Sequence, residues 1–150
     1  MALDDDVRIL SGVGLFEGFT QEQLRLLAFG AESLKVPAGK DLFREGQPAD
    51  GAFVVVRGLI DLFHEQNGER LSLGQVGPGA MLGEFALISD SNRLTGASIA
   101  VDSELMRLNR KLFRRILEEY PDVAIALHHR ISAELQALVR NIEAMAPRFS

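Results

Sequence analysis

The sequence predicts an α+β fold: a β-roll flanked by an N-terminal helical segment and a long C-terminal helix. Three observations carry that expectation. Most of the 14 glycines lie between about residues 33 and 108, where short apolar runs alternate with turn residues. Many short strands with glycine turns between them point to a sandwich or a barrel-like roll. A capped helical pattern precedes this zone, and two more, split by Tyr120-Pro121, follow it.

The elements follow in chain order. Val13 to Phe19 is a glycine-punctuated apolar segment, expected as a turn or short helix. Thr20-Gln21-Glu22-Gln23 has the capping-box pattern, with a hydroxyl at the cap and an amide three residues on. Leu24, Leu27 and Ala28 then recur at helical spacing, and Gly30 stands near the expected end. Phe53 to Val56 reads as a strand that Gly58 ends. Two strands, Leu59 to Glu65 and Arg70 to Val76, flank Asn67-Gly68, a strong hairpin signal. Gly77-Pro78-Gly79 reads as a turn, and Ala97 to Val101 and Glu104 to Leu108 as two further strands.

Asn109 is placed to cap a helix over Arg110 to Glu119, whose apolar face is Leu112, Phe113, Ile116 and Leu117. The last helix is expected from about Asp122 to Ala146, with Pro147 stopping it. Within it Ile131, Leu135, Leu138, Ile142 and Met145 step by four, three, four, three. That is a coiled-coil rhythm. A homodimer through this helix is expected, because the apolar stripe exceeds what one small roll covers; the competing reading is a helix packed on its own domain.

Composition removes several function classes. The chain has 150 residues, 16 basic against 21 acidic, a net charge of −5 and no cysteine. One domain spanning residues 1–150 is expected from this length. Absent cysteine excludes disulfides, cysteine-ligated metals and thiol catalysis. The acidic balance speaks against direct nucleic-acid binding, which draws its affinity from phosphate contacts. No apolar run reaches the roughly 18 residues that span a bilayer, and MALDDDVR is acidic where a secretory signal is basic. A cytoplasmic protein is the expectation. A metal enzyme on a β-roll needs several inward histidines, but only His64 lies in the β zone, and His128 and His129 are adjacent on a helix. No Gly-x-Ser-x-Gly elbow is present, so no catalytic residue and no enzyme activity are expected. Asp4-Asp5-Asp6 reads as a solvated run. Arg110, Lys111, Arg114 and Arg115 read as a solvated basic face or a docking patch for an acidic partner.

One stretch carries chemistry: Leu82-Gly83-Glu84-Phe85-Ala86-Leu87, the polar loop Ser89-Asp90-Ser91-Asn92, then Arg93-Leu94-Thr95. Gly83 lets the backbone turn or approach a ligand closely. A helical turn over Glu84 to Ile88 would present free N–H groups to an anion. Arg93 can hold phosphate oxygens through two parallel charged hydrogen bonds. With Glu84 beside it for sugar hydroxyls, the set suits a small phosphorylated sugar ligand. Residue types alone leave open a surface loop in which Arg93 pairs with Glu84 or Asp90.

The stretch resembles the phosphate-binding cassette of the cyclic-nucleotide-binding domain family, in particular the sensor half of catabolite-activator-type regulators. Gly46-Gln47-Pro48-Ala49-Asp50 through Gly58 resembles a second block of that family, Gly77-Pro78-Gly79 precedes the cassette as in it, and Gly14 to Thr20 resembles its N-terminal helical motif. The resemblance spans about residues 7–145 and implies a double-stranded β-helix of the jelly-roll kind. It implies that Arg93 binds the exocyclic phosphate oxygens and Glu84 the ribose 2′-hydroxyl. Gly83, Phe85 and the Ala86 N–H would shape the phosphate seat, with Leu94 and Thr95 beside it. The last helix, near Arg130, Glu134, Leu135, Leu138 and Val139, would lie over the base, with Leu135, Leu138 and Val139 as the capping candidates. Relatives that prefer cyclic GMP often carry Thr where Leu94 stands, so cyclic AMP is the expected ligand. The implied role is a sensor module of bacterial-type signalling, with an unidentified downstream partner. The chain ends at Pro147 to Ser150, without room for a helix-turn-helix, so it is expected as a free-standing receptor or the sensor half of a longer regulator. A dimerisation module with a vestigial pocket is the third reading.

Overall fold

The computed structural model describes the backbone of residues 2–145 and the side chains of residues 3–137 and 140. The chain opens with helix α1 (Ala2–Ser11), a short 3-10 helix over Gly14–Phe16, and helix α2 (Gln21–Gly30). The eight strands are β1 (Glu32–Val36), β2 (Asp41–Phe43), β3 (Pro48–Ala49), β4 (Gly51–Gln66), β5 (Glu69–Val76), β6 (Met81–Leu82), β7 (Ser91–Asn92) and β8 (Gly96–Asn109). Helices α3 (Arg110–Glu119) and α4 (Pro121–Met145) close the described chain. The expected zones are present, with β strands from residue 32 to 109 where 33–108 was expected.

Local chemistry sets the helix ends. The capping box of α2 is complete: Gln23 N–H donates to Thr20 Oγ1 (3.2 Å) and Thr20 N–H to Gln23 Oε1 (2.9 Å). Asn109 caps α3 by accepting from Leu112 N–H at 2.8 Å. α1 was not expected. The triple aspartate looked like a solvated run, yet Asp4 and Asp5 occupy the first turn, where the helix dipole favours acids. Val7 and Leu10, three apart, are buried behind them. Asp6 is held above the usual carboxylate range by burial, then by the charges of Glu104 and Asp5.

All strand pairs are antiparallel, and the main sheet runs β1-β8-β4-β5, with β2 on β8 and β6 on β4. The β4–β5 hairpin turns at Asn67-Gly68, with both residues at positive φ (55° and 80°). Two sequence expectations are corrected. Gly58 does not end a strand but bends β4 through a register shift between Arg57 and Leu59. Residues 97–101 and 104–108 belong to the single strand β8, which bends opposite Gly58. At Gly58, φ is +104° and a Cβ would collide with Ser103. Ser103 Oγ fills the bend, accepting from Leu59 N–H (3.2 Å) and donating to Val101 O (2.7 Å).

Side-chain alternation along β4 and β8 divides the apolar residues into two clusters. Phe53, Val55, Ile60, Ala97, Ile99 and Leu105 point into the roll with Phe43 and Leu82. Ala52, Val54, Met106 and Leu108 point the other way, against Leu27, Phe113, Ile116, Leu127 and Ile131 of the helices. Ile131, the first residue of the heptad pattern, is therefore buried in its own chain. Leu135 is exposed. Leu138, Ile142 and Met145 have side chains outside the described residues, as do Ala146 and Pro147 entirely. Among the described residues, no helix is long and apolar enough to cross a membrane.

Candidate functional site

The site is built where β6 runs out. Leu82 pairs with Phe53 of β4, and the chain then turns at Gly83 with φ 75° and ψ 35°. A short 3-10 helix follows over Glu84–Leu87, as the sequence led one to expect. Ala86 and Leu87 are buried and anchor this turn, Leu87 among the residues under the helices. β7 then pairs with β3, Ser91 opposite Ala49 and Asn92 opposite Pro48. Arg93 is clamped by its backbone: its N–H donates to Gln47 O and its carbonyl accepts from Gly46 N–H, each at 2.8 Å.

These constraints send the Arg93 side chain inward. It is 8% exposed, and its guanidinium carbon lies 4.4 Å from the Phe43 ring centre and 5.5 Å from that of Phe53. The rings satisfy its charge in part through their negative faces. Its Nη1 is buried without a hydrogen-bond partner among the described residues. A Cβ at residue 83 would collide with that Nη1, so glycine is required there twice, by its positive φ and by the guanidinium. Burial lowers the Arg93 pKa, opposed by Asp50 and reinforced by Arg107; a guanidinium nonetheless stays protonated. The alternative that Arg93 pairs with Glu84 or Asp90 is not what the structure holds, since Asp90 pairs with Arg110 instead.

Gly83, Glu84, Phe85, Ala86, Arg93, Leu94 and Thr95 all line one cavity of about 360 Å³. That volume lies in the range of small-molecule sites. Phe43, Leu62 and Leu82 add apolar wall, and Glu134 of α4 closes one side. Burial pushes the Glu84 carboxyl up to about 7, and a hydrogen bond to the Glu134 carboxyl and its charge add to the rise. A cation with no ion-pair partner among the described residues and a proton-holding carboxyl thus line one cavity.

Some expected placements differ. The Ala86 N–H donates to Gly83 O at 3.1 Å within the turn. Leu135 is 43% exposed and is not among the residues lining the cavity. The side chains of Leu138 and Val139 lie outside the described residues. Arg130 turns away from the cavity and donates to Leu15 O (2.9 Å) and Glu17 O (2.6 Å), tying α4 to the N-terminal segment. Sequence reasoning missed Phe43, whose place under Arg93 depends on β2 pairing with residues 97 and 98. Nothing in the local pattern of residues 41–43 signals that long-range pairing.

Three comparisons bear on this geometry. A structure of a cyclic nucleotide-binding-like protein from Brucella abortus superposes with a TM-score of 0.72 at 61% identity, covering 77% of this chain and 99% of that one. The cyclic AMP receptor protein of Thermus thermophilus is 27% identical over 135 residues, 89% of this chain and 61% of that protein. Lysophospholipase nte1 of Aspergillus fumigatus is 29% identical over 112 residues, 74% of this chain but 7% of that protein. This chain thus spans a small part of the lysophospholipase and under two thirds of the receptor. The model of the cyclic nucleotide-binding domain matches residues 33–120, the segment that holds the roll, the Gly83 turn and Arg93. The chain belongs to the cyclic nucleotide-binding domain family.

Proposed function

We propose that this chain is a regulatory receptor for a cyclic nucleotide, cyclic AMP, with no catalysis of its own, working in bacterial-type signalling in the cytoplasm. The observation that carries the reading is Arg93, which lines the cavity that Glu84 shares and keeps a buried Nη1 with no hydrogen-bond partner among the described residues. A buried donor without an acceptor costs about 1–3 kcal/mol. A site that keeps such a donor is organised for an anion that arrives from outside.

In this reading Arg93 binds the exocyclic phosphate oxygens, and Gly83 leaves room for the guanidinium to reach them. Glu84 meets the ribose 2′-hydroxyl. Phe85 and Ala86 shape the phosphate seat, Thr95 lines it, and Leu94 at the rim offers apolar contact to a purine without a hydrogen-bonding group. That favours adenine, which asks for no hydroxyl there. The match to a protein named as a cyclic AMP receptor supports the same choice. Leu135 of α4 would cap the base only if α4 shifts along the cavity, and Leu138 and Val139 are the other capping candidates on that helix. The same helix is the proposed homodimer seam, and a bound ligand would bias its packing.

Titration calorimetry with cyclic AMP and cyclic GMP tests the reading. Saturable binding of cyclic AMP, tighter than cyclic GMP, is expected. Removing one partner of a buried charged contact costs about 2–5 kcal/mol, so Arg93→Ala should weaken binding by at least about 30-fold. Equal binding by wild type and variant would remove Arg93 from the site.

A further inference from the structure

Arg110 belongs to the basic cluster at the start of α3, yet it does not behave as a solvated residue. Its side chain is 18% exposed and reaches back over the Gly83 turn. Nη1 donates to Ser89 O at 2.7 Å and, at a longer 3.4 Å, to Ala86 O and Ala49 O. Nη2 meets the Asp90 carboxylate at 2.5 Å. Its own N–H donates to Asp50 O at 2.8 Å. One guanidinium thereby joins β3, the end of the 3-10 helix and the loop beyond it to the first residue of α3.

We propose that Arg110 is a positioning residue for nucleotide binding: it fixes the Glu84–Asp90 segment, and with it the Glu84 carboxyl, without touching the ligand. It is not among the residues lining the cavity, so it acts through the backbone it holds. The carbonyl contacts matter more than the ion pair. Asp90 is 94% exposed, and exposed pairs contribute little, whereas hydrogen bonds from a charged donor to carbonyls are among the stronger ones. An arginine suits the place because its rigid planar fork fixes Nη1 on the carbonyls while Nη2 meets Asp90, whereas an ammonium is a point charge without that fixed geometry. A turn held in its binding geometry beforehand avoids an ordering cost on association.

This inference rests on the cyclic-nucleotide reading, and its test separates the two. In Arg110→Ala and Arg110→Lys, amide hydrogen exchange measured without nucleotide should quicken at least about 10-fold within residues 84–90, with the β4 and β8 amides unchanged. An unchanged segment, or a uniform rise across the chain, overturns the proposal whatever the protein binds. The second arm compares cyclic AMP with 2′-deoxy cyclic AMP. The wild type's preference for the hydroxylated ligand should shrink at least about 3-fold in Arg110→Lys, a coupling that a merely structural residue does not produce. A preference identical in wild type and variant overturns the inference alone, while a wild type that binds neither nucleotide sinks the receptor reading and leaves the exchange arm to decide. If Arg110→Ala fails to fold, Arg110→Lys decides alone; Asp90→Ala, which removes one exposed partner and leaves the carbonyl contacts, should keep exchange in the same segment within about 2-fold of wild type, and a rise as large as that of the Arg110 variants would place the effect in the ion pair and overturn the proposal.

Discussion

Replacing Arg93 with methionine should make the protein more stable and deaf to its ligand. The guanidinium is 8% exposed, one of its nitrogens has no partner among the described residues, and two phenyl rings lie against it. The orphaned donor costs about 1–3 kcal/mol, and more where the group is charged. The ring contacts return about 0.5–2 kcal/mol. Methionine has a similar length, buries its thioether against the same rings, and removes the desolvation cost. Exchanging a buried charge for an apolar side chain of like volume is often stabilising. The net expectation is a gain of about 1 kcal/mol, or about 2–4 °C in midpoint for a chain of this size. Thermal and urea unfolding without nucleotide read the gain. Repeating the scans with cyclic AMP reads the loss: at 100 times Kd a ligand raises stability by about 2.7 kcal/mol, and the variant should show no such rise. A variant less stable than wild type in both scans would refute the reasoning, because it would mean that the guanidinium is held by contacts inside the chain.

Three further outcomes follow from the same geometry. Glu84 holds its proton to about pH 7 when folded, against about 4.5 in an unperturbed side chain, so the folded state binds the extra proton between those values and stability falls as pH rises through that window; Glu84→Gln should flatten that dependence by up to about 3 kcal/mol, read as urea midpoints at pH 4.5 and 8. Gly83→Ala meets both a positive φ of 75° and the Arg93 guanidinium; it should lower stability by about 1–2 kcal/mol in urea and weaken cyclic AMP binding in calorimetry. Light scattering on a chain carrying Leu135→Asp and Ile142→Asp should give half the mass of wild type, and equal masses would remove α4 as a dimer seam.

Much of the fold was legible because its signals are local. The Thr20–Gln23 box, the Asn109 cap and the Asn67-Gly68 hairpin each depend on residues within a few positions, and each appears where the sequence puts it. The seven cassette residues were legible as a set because they lie within 13 consecutive positions and converge on one cavity. What stayed hidden depends on distant partners. Gly58 looks like a strand end until Ser103, 45 residues on, is found filling the bend beside it. The same bend made β8 read as two strands. Arg110 looked like one more surface cation because its acceptors are main-chain carbonyls, which carry no residue-type signal. α1 was masked by its acids, although Leu3, Val7 and Leu10 keep helical spacing beneath them.

β4 is a party wall only one strand thick. Phe53 stands beneath the guanidinium on one side, and its neighbour Val54 presses on the helical layer on the other. The ring under Arg93 and a side chain in the core of the helical layer are therefore successive residues of one strand.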